Sequence, residues 1–446
     1  FTDTSSIASN ETISPGWNNV KSFTITNNSK EDFNYNILLK GLVNTFESIN
    51  TLQYKITSDT GYNMDNYLSV IKTETSKDVV LAYNITIPKN TIQSYQIEFN
   101  YVSTEEDQSS DMGKKLSGTL AIEASTGTPE IYDKLLADNP TIKTRIDFST
   151  TLTETNVNTL YKTTEDNTDV YYFAGDAKNN WVKFGDYYWR IIRTNSDGSI
   201  RLLYHGTSPE TQNAYIGDSE IAFNENYNDS MYVGYKYGTS GSLENNRLNT
   251  NDSTIKKTID TWYKDNLVNY TKYLSTTAVY CNDRSNPAGG YNTGSTAFYY
   301  GAYTRLYTNK APTYDCTDTN DKFTVDTSTG NGKLKYPIAL MTADEVSFAG
   351  GLWATNASTW YYYNSAKGSS TGSTYWWLLS PRLWFGSYAH VFLVIGSSGP
   401  GRLDNNGVNN TSGVRPAVSL KSCVKTSGGD GSASAPYTIE ESTSGC

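Results

Sequence analysis

Lys21-Ser22-Phe23-Thr24-Ile25-Thr26 places large apolar side chains, Phe23 and Ile25, at alternate positions with hydroxyls between them. Successive side chains of a strand point to opposite faces of a sheet, so this stretch reads as a strand with one face buried and one wet. The same period of two returns at Phe33-Asn34-Tyr35-Asn36-Ile37, Leu52-Gln53-Tyr54-Lys55-Ile56, Val80-Leu81-Ala82-Tyr83-Asn84-Ile85, Tyr95-Gln96-Ile97-Glu98-Phe99 and Leu116-Ser117-Gly118-Thr119-Leu120-Ala121-Ile122. Asn, Ser, Gly and Asp separate the runs. Half-buried strands at this density predict a β-sandwich, each sheet packing one face inward.

Composition agrees with a mainly β chain. Among 446 residues there are 36 Tyr and nine Trp but only four Met, and aromatic and β-branched side chains suit a pleated surface. A net charge of -10 leaves no basic patch to neutralise a run of phosphates, so no nucleic-acid partner is expected. The longest apolar runs, such as Val391-Phe392-Leu393-Val394-Ile395, have strand length, so no membrane span is expected. A start at Phe1 rather than Met fits a secreted chain released from a signal peptide.

Cys281, Cys316, Cys423 and Cys446 have spacings unlike any CxxC zinc or redox motif. Three disulfide connectivities are possible, and free buried thiols are the alternative. The favoured pairs are Cys281 with Cys316 and Cys423 with Cys446, because each closes a local loop with little apolar packing.

Residues 1–13 are polar except for Phe1, Ile7 and Ile13, and read as an arm with those three as anchors. An arm ahead of a sandwich can add as a strand to a neighbouring subunit, which makes a second copy of the chain the expected partner. After the turn Ser14-Pro15-Gly16, the sandwich occupies 14–123. Residues 124–130 contain the small polar run Ala124-Ser125-Thr126-Gly127-Thr128-Pro129 and read as a linker.

A second domain, 131–446, opens with a short amphipathic helix around Ile131, Tyr132, Leu135 and Leu136. A meander follows, from Tyr171-Tyr172-Phe173 through Trp181-Val182-Lys183-Phe184 and Tyr187-Tyr188-Trp189-Arg190-Ile191-Ile192 to Ile200-Arg201-Leu202-Leu203-Tyr204, with turns at Gly185-Asp186 and Ser196-Asp197-Gly198-Ser199. A helix is predicted from about Ser253 to Tyr270 on the spacing of Ile255, Ile259 and Trp262. Tyr336 to Leu340 reads as a strand and Ala343 to Ala349 as a short helix. Trp376-Trp377-Leu378-Leu379-Ser380-Pro381-Arg382 opens a last sheet section that ends at Gly413-Val414-Arg415-Pro416-Ala417-Val418-Ser419-Leu420.

Two resemblances follow from these motifs. Phe1-Thr2-Asp3, the turn before Phe23-Thr24-Ile25-Thr26-Asn27-Asn28, the strand at Tyr95, and Asp107-Gln108 followed by Leu116-Ser117-Gly118-Thr119-Leu120 resemble secreted biofilm-fibre subunits of the TasA and camelysin type, over residues 1 to about 123. That resemblance implies a jelly-roll β-sandwich that polymerises by N-terminal donor-strand complementation. Camelysin-type proteins have been described as proteases, but this chain has no HExxH motif and that activity is not carried over. The meander, Leu340-Met341-Thr342-Ala343-Asp344-Glu345, Trp376-to-Pro381 and Gly413-to-Val418 resemble a domain of gut-bacterial surface proteins. Its closing section is similar to the α+β C-type-lectin-like fold shared by formylglycine-generating enzymes and the variable proteins of diversity-generating retroelements.

Candidate chemistry is sparse. The two histidines, His205 and His390, lack metal-ligand spacing, and His205 before Gly206 reads as a turn residue. Loops such as Asp404-Asn405-Asn406 offer calcium ligands as an alternative, although the spacing does not match an EF-hand, and there is no GxSxG elbow; no metal, cofactor or catalytic residue is assigned, and the chain is not expected to be an enzyme. Between Pro381 and Gly413, aromatics, Arg and Asn share turn-rich sequence, and Ala389, Val391 and Leu393 alternate with Tyr388, His390 and Phe392, so one set faces the core and the other outward. With that outer set, Arg382, Trp384, Phe385, Tyr388, His390, Arg402 and Asn405 are the candidate ligand-binding residues; the alternative is a core strand flanked by buried aromatics. The combined expectation is an extracellular, cell-surface filament subunit that displays a C-type-lectin-like domain to a protein or glycan on another surface. The alternative is a non-polymerising secreted ligand-binding protein or enzyme with a formylglycine-generating-enzyme-like fold.

Overall fold

The computed structural model describes residues 2–3 and 12–446 apart from 49–50, 65–66, 71, 106, 126–128, 157, 212–213, 218, 287–289, 293, 357–374, 397–398, 400 and 444. The protein is mainly β, with several antiparallel sheets. Two compact units divide it: one runs to Pro129 and includes Asp133–Thr141, and the other is Glu130–Tyr132 with Ile142–Cys446. Among the described residues no helix is long and apolar enough to cross a membrane.

The first unit has strands β1 (Thr2–Asp3), β2 (Asn18–Asn27), β3 (Phe33–Asn44), β4 (Leu52–Ser58), β5 (Leu68–Ser69), β6 (Thr73–Ile87), β7 (Thr91–Tyr101) and β8 (Leu116–Ala124). They form two antiparallel sheets, ordered β1-β2-β7-β4-β5 and β6-β3-β8. The alternation explains the packing: Phe23, Ile25, Ile56, Ile97 and Phe99 from one sheet share a core with Ile37, Leu39, Ile85 and Leu120 from the other. Polar groups in that core are paired, as burial requires. The Tyr35 and Tyr95 hydroxyls meet at 2.6 Å, and Tyr35 also donates to Gln93 Oε1 at 2.6 Å.

The N-terminal arm is partly placed. Thr2 and Asp3 pair antiparallel with Thr24 and Phe23 of the same chain, so β1 adds to the edge of its own sheet. Within a single chain that edge is the nearest set of open backbone groups, at a high local concentration. Ile13 packs half-buried against the core of its own unit. Phe1 and Ile7 lie outside the described residues.

The second unit is built on a ten-stranded sheet. In chain order its strands are β9 (Thr141–Thr144), β10 (Thr159–Glu165), β11 (Thr168–Tyr172), β12 (Trp181–Phe184), β13 (Tyr187–Thr194), β14 (Ile200–Gly206), and later Ile338–Leu340, Pro416–Leu420, Thr426–Gly428 and Tyr437–Ile439. β12, β13 and β14 pair in succession as the sequence predicts. Their first turn is Gly185-Asp186, with φ of 60° and 67°, the left-handed pair that a two-residue hairpin needs. β11 does not pair with β12 as the expected meander requires: it forms a hairpin with β10, a strand whose Thr-rich sequence hides its alternation, and meets β13 at Tyr172–Arg193. The predicted helix from Ser253 is α1 (Thr254–Asn266), capped by the Ser253 side chain, and the chain then tightens into a 3-10 turn at Val268–Tyr273. His205 is not a turn residue: it is fully buried within β14, edge-on to Trp181 at 4.5 Å.

The disulfides are Cys281–Cys316 and Cys423–Cys446, the local pairing expected. The short helix α2 (Ala343–Phe348) is entirely buried, with Thr342 and Glu345 forming a capping box. Glu345 Oε1 accepts from Arg193 Nε and Arg201 Nη1, both at 2.9 Å, and Oε2 accepts from the Thr342 amide at 2.9 Å. Arg193 also pairs with Glu165 at 2.8 Å. Burial pushes the Glu345 carboxyl up, but Arg201 and Arg193 outweigh it and hold the group below the ordinary glutamate range.

Removing one member of a buried charged set leaves its partners uncompensated. Glu345→Gln is therefore expected to lower stability by about 3–5 kcal/mol, measured by denaturant unfolding. A loss below about 1 kcal/mol, the range of an exposed pair, would show that the network is not structural.

Candidate functional site

A four-stranded antiparallel sheet carries most of the expected binding residues. It consists of Phe298–Tyr299, Trp376–Trp384, Ala389–Val394 and Leu403–Gly407, paired in that order. Asn405 on the last strand joins two side chains through one oxygen: its Oδ1 contacts His390 Nδ1 at 2.9 Å and accepts from Arg382 Nη1 at 3.3 Å. Arg402 lies near by in sequence but is occupied, its guanidinium paired with Asp404 Oδ2. Asp404 Oδ1 in turn accepts from the Asn405 amide at 2.9 Å.

Arg382 is half-buried and enclosed by rings. Its guanidinium lies 4.5 Å from the centroid of Trp353, 4.9 Å from Tyr303 and 5.9 Å from Tyr299. Tyr299 stacks on Tyr303 at 4.2 Å and Tyr303 on Tyr307 at 5.0 Å, a ladder of three near-parallel rings. Tyr299 and Tyr307 remain 38% and 45% exposed, so the ladder opens to solvent at both ends. Tyr299 comes from the first strand of the sheet, and Tyr303 and Tyr307 come from a helical turn at Gly301–Tyr303 that continues as a π-helix through Thr304–Asn309, which brings those two, four apart, nearly into line. Arg305, between two of these rings, makes a bidentate pair with Asp344 at 2.7 Å and a further bond to Asp283 at 2.9 Å.

The electrostatics follow from this geometry. Burial lowers the Arg382 pKa from its usual value, against the opposing pull of Tyr303, Tyr299 and Asp404. Burial also lowers His390, and Arg382 adds to that effect while the Asn405 bond opposes it. Both shifts mark a region where positive charge is poorly solvated.

Two of the expected placements are corrected. Trp384 is only 2% exposed, with its indole N–H donating to the Gly294 carbonyl at 2.7 Å, so it is a core residue and does not belong to an outer face. The cause is Pro381: the strand register shifts on either side of it, which breaks the alternation that would have put Arg382 and Trp384 together. Phe392 is also buried, because Trp353 lies edge-on over it at 5.9 Å. Phe385 and Tyr388 are exposed at the hairpin tip, with Tyr388 stacked on Tyr227 at 4.9 Å.

Sequence reasoning missed Tyr299, Tyr303, Tyr307 and Trp353. A spacing of four between the tyrosines was the available signal, set in a stretch read as disulfide-bearing loop. Elsewhere in the unit, a cavity of about 20 Å³ between Arg201, Cys281, Arg305 and Asp344 is too small for a substrate. Among the described residues no group of three His, Cys, Asp or Glu is placed to hold a metal ion. Comparison with known protein families, curated proteins and solved structures finds no match to this chain.

The burial difference separates two kinds of aromatic. Trp384→Ala is expected to cost about 3–5 kcal/mol of stability, while Phe385→Ala, at 64% exposure, should stay within about 0.5 kcal/mol. Thermal or denaturant melts of the two variants check this, and equal losses would contradict the placement.

Proposed function

We propose that the chain is a subunit of an extracellular, cell-surface filament, whose first unit assembles by strand addition and whose second unit displays the Arg382 face to a protein or glycan on another surface. The observation that supports this reading most is the pairing of Thr2–Asp3 with the edge strand β2. Strand addition uses backbone groups, so the arm of one copy can take the same place on the edge of the next. Repeated from copy to copy, that exchange makes a head-to-tail polymer. In this reading the two-sheet first unit is a jelly roll, and the second unit is a C-type-lectin-like domain closed by the Trp376–Trp384 sheet. Two disulfides suit the oxidising conditions outside the cell.

Binding rather than catalysis is favoured by what the reactive groups are doing. All four cysteines are in disulfides, His205 is packed against Trp181, and His390 is held by Asn405. Deleting residues 1–13 should convert filaments of the purified protein into folded monomers, as seen by electron microscopy with circular dichroism as the folding control. Filaments that persist without the arm, or an intact chain that forms none, would overturn the assembly reading.

A further inference from the structure

Arg382 differs from most of the enclosed arginines of its unit. Arg193, Arg201, Arg284 and Arg305 each reach a carboxylate within 2.9 Å. Among the described residues Arg382 has no carboxylate within ion-pairing distance; its one hydrogen bond is the long contact to Asn405, and its Nη2 group makes none. Arg190 and Arg415 are fully buried over Trp181 and Trp376, out of reach of any ligand. Asp404, on the adjoining strand, is taken by Arg402. Arg382 is therefore a cation that the fold desolvates, walls with rings and leaves without a counter-charge.

That arrangement is costly unless something supplies the charge. We infer that the ligand of this face is an acidic glycan, whose carboxylate or sulfate pairs with Arg382 while its sugar rings lie against the exposed parts of Tyr299 and Tyr307. The inference rests on reading the Arg382 face as the ligand surface. A planar guanidinium matches a carboxylate or sulfate bidentately. Tyrosine offers an apolar ring with a hydroxyl edge, which suits a sugar with an apolar face and a hydroxyl rim. Lys310, 5.3 Å from the outer ring of the ladder at Tyr307, adds a second positive charge at that end.

Charge also gives selectivity. The whole chain carries -10, so a polyanion is repelled overall and must be captured at a local positive site. Arg382, with neutral His390 beside it, supplies such a site on an otherwise acidic protein.

The test uses the intact protein and three polysaccharides at about 0.15 M salt, where long-range charge effects are screened: polygalacturonate for carboxylate, dextran sulfate for sulfate, and neutral dextran. Affinity electrophoresis should show binding to at least one acidic polymer and none to dextran, and the responding polymer identifies the anionic group. Arg382→Gln should weaken binding about tenfold or more, the effect of losing one charged hydrogen bond. Arg382→Lys should retain part of it. Tyr307→Ala, at the exposed end of the ladder, should weaken binding without moving the melting temperature, which keeps the test open if Arg382→Gln folds poorly. Equal binding to dextran, binding unaffected by Arg382→Gln, or no binding to any of the three overturns the inference. Electron microscopy of the same samples reads filament formation separately, so either result leaves the assembly reading to be judged on its own.

Discussion

Glu345 is a carboxylate shut away from water that has three tasks at once. It neutralises Arg193 and Arg201, which come from adjacent strands of the ten-stranded sheet, and it closes the capping box that starts α2. Charges of either sign at this depth would be prohibitive alone. Together they form a closed set, and the set can exist only when sheet and helix are both in place. The constraint therefore ties a local event, the start of a six-residue helix, to the register of distant strands.

Its neighbour carries the constraint outward. Asp344 faces Arg305, and Arg305 sits on the same helical segment as Tyr303 and Tyr307. The Ala343 amide, one residue earlier, donates to Ser380 Oγ at 2.9 Å, on the strand that carries Arg382. Three consecutive residues thus reach the sheet, the tyrosine ladder and the strand under the ligand face. A π-helix is rare, and the bidentate Arg305–Asp344 bond ties this one to α2. The supports of the face are charge pairs and hydrogen bonds to the core, not loop contacts.

Much of the fold was legible in the sequence where one face of a strand is buried and the other wet. Phe23 and Ile25 point inward as their spacing demands, and Gly185-Asp186 turns where its composition says. The same rule nearly failed at Lys21, which lies on the core side of β2 at 4% exposure. Alternation carries no information on strands buried on both faces, which is why Phe392 was misplaced, and a proline bulge inverts it, which is why Trp384 was. Arg382, His390 and Asn405 were legible as a group because they share one sheet. The tyrosine ladder was not, since its partner Trp353 and its anchor Asp344 are distant in sequence and only the tertiary fold brings them together.

Hydrogen exchange of Asp344→Asn measures the coupling of Asp344 to the ladder most directly. Losing the ion pair while keeping the side-chain volume should speed amide exchange across 301–309, with β13 and β14 protected as in the parent chain, because Glu345 still holds the sheet. Unchanged exchange at 301–309, or loss of protection throughout the unit, would contradict it.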